Sequence, residues 1–354
     1  MRKSGWPIPL AIALALAALV SCDAPEQRLL SLAGGPDPIE HEAFLLGERQ
    51  LGNRCCAHSV KIVTATTDPE APRPREGDRA LRFELRYDDP EATFSSKRAE
   101  ITFDGIIGLA DMLGRIGGPA DWYRFSVYLP DSHERDPAAE IIAQWHASPD
   151  KGEVFRGPVL SLHSRDGEWQ IISRHSSEKI QTSNNAEPKR LWRAPYQTGV
   201  WTDFIFQTRW DWHAEGQGAI RAWMKPSDVV SWQKILTYRG ATAYNDDGHI
   251  YFKAGLYKWP WEGCTPGDEV EACSGEGSPR PSTVERRVVY VDGLEAASGE
   301  GLDFSQFARF GPHGAREQSR SPVDDATTAV HEPRFGRQAV WALFSEEPPA
   351  IARR

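Results

Sequence analysis

The sequence predicts an all-β protein, an antiparallel β-sandwich of the jelly-roll, lectin-like type. Three observations predict it. Short runs alternate apolar and polar residues with the two-residue period of a half-buried strand. No stretch keeps a helical period, so no helices alternate with the strands to make a parallel sheet. The 26 Pro and 30 Gly among 354 residues punctuate the chain often, as many short strands joined by turns require.

Residues 1–22 read as a targeting segment outside the fold. Arg2 and Lys3 precede an apolar run from Leu10 to Val20, too brief to span a bilayer. The run ends in Leu19-Val20-Ser21-Cys22, which resembles the bacterial lipobox; the resemblance implies acylation of Cys22 and a lipid anchor in the cell envelope, facing periplasm or exterior. Asp23 follows, a position that biases sorting between membranes, so the leaflet stays open. Residues 23–43 are polar, with Gly34-Gly35-Pro36, and read as a tether.

The folded domain is expected over residues 44–310. Strands are expected at 79–87, 97–103, 121–129, 141–147, 159–164, 169–174, 201–210, 219–224, 234–239, 251–258 and 287–291, with a hairpin turn at Asp166-Gly167. In the first, Leu81, Phe83, Leu85 and Tyr87 share one face against Arg82, Glu84 and Arg86. Residues 311–354 are rich in Pro, Arg, Glu and Ser and read as a tail, disordered in part.

Cys55, Cys56, Cys264 and Cys273 leave an even number in an exported chain, which suggests disulfides. A bridge from Cys264 to Cys273 would close a short loop worth roughly 2.5–3 kcal/mol. Cys55 and Cys56 adjoin, their Cα atoms ~3.8 Å apart, so a vicinal bridge would be strained and pairing with the other two stays open. Neither pair has zinc-site spacing. A net charge of -9 argues against nucleic acid as a partner but leaves room for a locally basic cleft. A monomer is expected.

Three strands carry polar residues on one face. Tyr251, Lys253, Gly255 and Tyr257 alternate against the apolar Phe252, Ala254 and Leu256. Gln144 and His146 alternate against Ile141, Ala143 and Trp145, and Arg98 and Glu100 against Ala99 and Ile101. Any one of these is common on an ordinary amphipathic strand. The three in order are not: Arg98-Ala99-Glu100-Ile101-Thr102, Gln144-Trp145-His146 and Tyr251-Phe252-Lys253-Ala254-Gly255-Leu256-Tyr257 resemble the signatures of jelly-roll polysaccharide lyases. The alginate-lyase branch has Arg-x-Glu-Leu-Arg, Gln-x-His and Tyr-Phe-Lys-Ala-Gly-x-Tyr. Thr102 stands where that branch has a second arginine, which puts alginate in doubt, and the surrounding strands are more similar to heparinase I-like and glucuronan lyases.

The resemblance implies a concave substrate groove and cleavage of a 4-O-linked uronate in an anionic polysaccharide. The residue types suit that chemistry. Arg98 and Gln144 can neutralise the carboxylate so that the C5 proton becomes removable. His146 or Tyr257 can be the base, with Tyr257 also able to protonate the leaving oxygen, near Lys253. Glu100, Tyr251 and Trp259 are candidate substrate contacts, and Trp261 is either a second stacking ring or core. His58, His163, His175, Arg165 and Arg209 are secondary candidates. No cofactor or metal is required, although acidic pairs at Asp246-Asp247 and Asp268-Glu269 can supply oxygen ligands for calcium. The rival readings are a non-catalytic carbohydrate-binding jelly roll and a glycoside hydrolase. The hydrolase needs two flanking carboxylates, and Val291-Asp292-Gly293-Leu294-Glu295 lacks the leading Glu of the sandwich hydrolases.

Overall fold

Among the described residues, fifteen strands pair into two antiparallel sheets. The computed structural model describes residues 56–64, 66–90, 97–102, 113–184, 186–259, 261 and 282–308, with the backbone at 29–31 and 51–52. The strands are β1 (Leu29–Ser31), β2 (Leu51–Gly52), β3 (Val60–Val63), β4 (Ala80–Arg86) and β5 (Lys97–Thr102). Then come β6 (Asp121–Tyr128), β7 (Glu140–Ala147), β8 (Leu160–Arg165), β9 (Glu168–Ser173) and β10 (Lys189–Pro195). The last five are β11 (Trp201–Arg209), β12 (Ala219–Pro226), β13 (Gln233–Arg239), β14 (Ile250–Lys258) and β15 (Arg286–Ser298). One sheet runs β13-β12-β11-β6-β15-β4-β3, with β1 also on β15; the other runs β10-β9-β8-β7-β14-β5-β2.

The eleven expected strands are present. The additions are the short β1, β2 and β3, the edge strand β10 and one helical turn at Phe304–Phe307. β1 lies inside the expected tether, its backbone paired to Glu295–Ala297. The signal segment, Cys22, Cys55, Cys264, Cys273, Asp268, Glu269 and the tail lie outside the described residues.

Aromatic rings from both sheets meet between them. Trp145 of β7 lies 4.7 Å from Phe206 of β11, 5.0 Å from Phe252 of β14 and 5.3 Å from Tyr123 of β6, ring centre to ring centre. Each buried ring of this size contributes about 1.5–3 kcal/mol, and its edge and tilted contacts add to that. The cluster therefore holds β7 and β14 against the opposite sheet. Their other faces are left for polar side chains.

The polar faces elsewhere are less open than alternation implies. Arg82 and Glu84, read as outward, are buried, because Arg82 Nε meets Asp68 at 2.8 Å and Glu84 is ringed by Arg82, Arg86 and Arg286. Those cations hold the Glu84 carboxyl down at about 2, against the burial that would raise it.

The β14 strand is not regular. Its pairing with β7 shifts between Ala254 and Tyr257, which inserts one extra residue, and Gly255 sits at φ +140°. A Cβ there would stand 2.2 Å from the Ala99 carbonyl oxygen of β5. The glycine therefore permits two backbones to approach. Gly255→Ala should cost about 1–3 kcal/mol from backbone strain alone, read as a fall of several degrees in Tm. An unchanged Tm would contradict the bulge.

Candidate active site

The outward face of the second sheet gathers the three motifs. β14 lies between β5 and β7, so Tyr257 stands opposite Arg98, Gly255 opposite Glu100, and Lys253 opposite both Thr102 and Gln144. His146 stands opposite Tyr251. A second bulge, in β7 against β8, puts Ile141 opposite both Tyr257 and His163, whereas Ile142 and Ala143 both join the core. The sequence had placed Ile141 on the core side; the bulge moves it to the polar face. The polar residues of the three motifs thus share one face, across two bulges.

The face is the floor of a recess. Glu100, Gln144, Ser161, His163 and Gln170 are buried, and Arg98, His146, Tyr251, Lys253, Tyr257 and Trp259 are half-buried. Glu100, expected to touch a ligand, is closed off beneath Gln144, whose amide nitrogen donates to its carboxylate. A carboxylate turned toward an anionic ligand would repel it, and here it orients the amide instead. Arg98 lies flat over the Tyr257 ring, 4.2 Å from its centre, and its Nε is buried with no hydrogen-bond partner among the described residues. Tyr257 Oη makes no hydrogen bond among them either.

His146 is pinned in one tautomer. Its Nδ1–H donates to the Ala147 carbonyl at 2.7 Å, so Nε2 carries the lone pair. The imidazole stacks on Tyr251 at 5.6 Å, and Lys253 Nζ lies 5.3 Å from the centre of that same ring. Burial, then the positive charges of Lys253, Arg98 and Arg156, push the His146 pKa down to about 3. Arg156 was not singled out from sequence. It is buried in a loop after β7, held by Glu153 and by Asp246 at 2.8 Å, and stacked over Tyr244. Only the fold brings it near His146.

Five steps of β7 separate His146 from Ile141, the partner of Tyr257. At ~3.3 Å per residue the two candidates stand about 15 Å apart along the sheet at their Cα atoms, on either side of the Gly255 bulge. Their side chains can then address two sides of one ligand.

Other candidates scatter. Trp259 packs beside Tyr257 and His163 at 5.6 and 5.7 Å, at the rim of the recess. Trp261 is core, its indole N–H bonded to the Val284 carbonyl. His163 accepts or donates to Ser161 at 2.8 Å, and burial, then Arg174 and Arg165, lower its pKa to about 3. His175 is exposed beyond β9, His58 pairs with Asp89, Arg165 bonds the Pro137 carbonyl, and Arg209 lies on the opposite sheet. Asp246, with Asp150 and Glu153, forms an acidic cluster already engaged by Arg156 and Lys179.

The far end of the two strands is fixed by buried charges. Lys258 meets Asp136 at 2.7 Å and Glu140 at 3.4 Å, and Arg287 grips Glu140. Burial would raise the Glu140 pKa, but Arg287 and Lys258 hold it at about 2.

Residues 53–295 match the family model described as polysaccharide lyase. Among solved structures, an endo-β-1,4-glucuronan lyase from the fungus Trichoderma reesei is similar over 70% of this chain and 89% of its own, at 16% identity and a TM-score of 0.50. A marine PL-14 alginate lyase from Aplysia kurodai is similar over 76% of this chain and 98% of its own, at 13% identity and a TM-score of 0.45. A GH131 β-glucanase catalytic domain from Podospora anserina covers 70% of this chain and 83% of its own, at 12% identity and a TM-score of 0.42. No curated protein matches the sequence.

The electrostatics make one direct prediction. An imidazole NMR titration should find His146 neutral, with its proton on Nδ1, from pH 8 down to pH 5. A midpoint near the ordinary 6.5 would contradict the crowding of cations around it.

Proposed function

Because the chain belongs to the polysaccharide lyases, we propose that it cleaves a 4-O-linked uronic-acid polysaccharide by β-elimination on this sheet face. The sugar carboxylate lies against Arg98 and the Gln144 amide, which neutralise it and stabilise the enolate-like charge that develops. Glu100 positions Gln144 for that contact. His146 Nε2 takes the C5 proton. The electrons of that C–H bond form the C4–C5 double bond as the C4–O4 bond breaks, and Tyr257 Oη gives its proton to the departing oxygen. Trp259 and Tyr251 flank the bound chain.

The observation that carries this reading is the His146 tautomer: a neutral imidazole with its lone pair free, on the same face as Arg98, Gln144 and Tyr257. A pKa of about 3 would make it a weak base in the empty site. The substrate carboxylate offsets part of the charge of Lys253 and Arg98. Binding therefore raises the basicity of His146 when it is needed.

Turnover of alginate, glucuronan and heparin, followed by the ultraviolet absorbance of the unsaturated product, tests the reaction. Tyr257→Phe removes one oxygen and should lower kcat at least ~10²-fold with KM nearly unchanged. Wild-type turnover in that variant would defeat the assignment. A non-catalytic carbohydrate-binding module would give no unsaturated product at all.

The lipobox-like Leu19-Val20-Ser21-Cys22 supports a lipid-anchored enzyme in a bacterial envelope. Cys22→Ser should release the protein from membranes and abolish lipid labelling. Unchanged partition would refute the anchor.

A further inference from the structure

The edge of the site sheet carries cations that the chemistry above does not use. β10 is an exposed edge strand, and its pairing with β9 shifts between Arg190 and Trp192. The shift sends Leu191 and Trp192 both against the core, so Arg190 and Arg193 remain in register with residues of the outward face. Two rows of side chains then cross the strands. One runs Lys253, Gln144, Ser161, Ile172, Arg190; the other runs Tyr257, Ile141, His163, Gln170, Arg193.

Each row therefore begins at the candidate active site and ends on an exposed arginine. Four strand spacings of about 4.8 Å place that edge roughly 19 Å from β14, a distance of several sugar units. Arg190 makes no ion pair or hydrogen bond among the described residues. Arg193 has only a loose, exposed contact with Glu168 at 3.7 Å. Arg165, on the same strand as His163, and Arg174, just past β9, add positive charge that, after burial, lowers the His163 pKa. Lys189, Arg190 and Arg193 are all exposed along β10, with Glu168 of β9 the carboxylate beside Arg193, on a protein whose net charge is -9.

We propose that Arg190 and Arg193 form a distal subsite that binds carboxylates of an anionic polysaccharide running across the strands, several units from the bond that is cleaved. The proposal rests on the uronate reading of the site and deepens it: the enzyme prefers long chains to short oligomers. The guanidinium groups are exposed, so each contact is worth only what a solvent-screened ion pair is worth. Their effect lies in ground-state binding of long chains. They do not touch the reacting sugar.

The test compares the intact protein with the Arg190→Ala/Arg193→Ala double variant on whichever uronate polymer is cleaved best and on its trisaccharide. Both positions are exposed on an edge strand, and circular dichroism checks that the variant is folded. KM for the polymer should rise roughly three- to tenfold, with kcat and all trisaccharide constants unchanged. Added salt should weaken polymer binding less in the variant than in the intact protein. Equal KM values, or equal losses on polymer and trisaccharide, would overturn the subsite while leaving the lyase reading intact. Affinity electrophoresis through gels containing alginate or glucuronan reads binding without turnover. Less retardation of the variant supports the subsite, and equal retardation sinks it. If the intact protein is neither retarded by nor active on any uronate polymer, the uronate reading falls, and the subsite with it.

Discussion

The approach of Gly255 to the carbonyl of Ala99 is the constraint on which the site depends. It lets β14 carry an extra residue while staying paired on both sides, to β5 and to β7. A one-residue slip in a strand exchanges its two faces. Such a slip in β14 would turn Lys253 and Tyr257 inward among Trp145, Phe206 and Phe252. A lysine or arginine unpaired among those rings would cost several kcal/mol, more than any single contact at the site returns. The aromatic core and the two bulges therefore select one register. The recess is what that register leaves on the other side.

Charge then does the chemical work, and it does so locally. The chain is acidic overall, yet Arg98, Lys253 and Arg156 all act on one half-buried histidine. In a recess of low effective dielectric those interactions are stronger than on open surface. Such an arrangement is poorly matched to an empty site and well matched to one holding a carboxylate. Glu100 makes the same point from the other side. It is kept out of the recess, under Gln144, where its negative charge orients a donor and does not face an anion.

Much of this was legible in the alternation of single strands. Phe252, Ala254 and Leu256 face the core as their spacing implies, and Lys253 and Tyr257 face away. What alternation cannot supply is pairing between strands, and each surprise follows from that. Ile141 changed faces because of a bulge defined only against β8. Glu100 and Glu84 were buried by residues from other strands. Arg156 reaches His146 through a loop whose sequence carries no motif. β10 went unseen because Lys189-Arg190-Leu191-Trp192-Arg193 has its two apolar residues side by side, a pattern that only the bulge accommodates. Trp259 and Trp261, two residues apart and equivalent by composition, were separated by the end of β14 into rim and core.

The central claim is that one sugar carboxylate lies between Arg98 and Gln144, with its C5 proton toward His146 and its O4 toward Tyr257. A crystal structure of the Tyr257→Phe variant soaked with a uronate tetrasaccharide tests it most directly. The account predicts the carboxylate within hydrogen-bond distance of Arg98 and the Gln144 amide, and C5 facing His146 Nε2 over the Gly255 bulge. A sugar bound with its carboxylate turned to solvent, or seated away from His146, would contradict it.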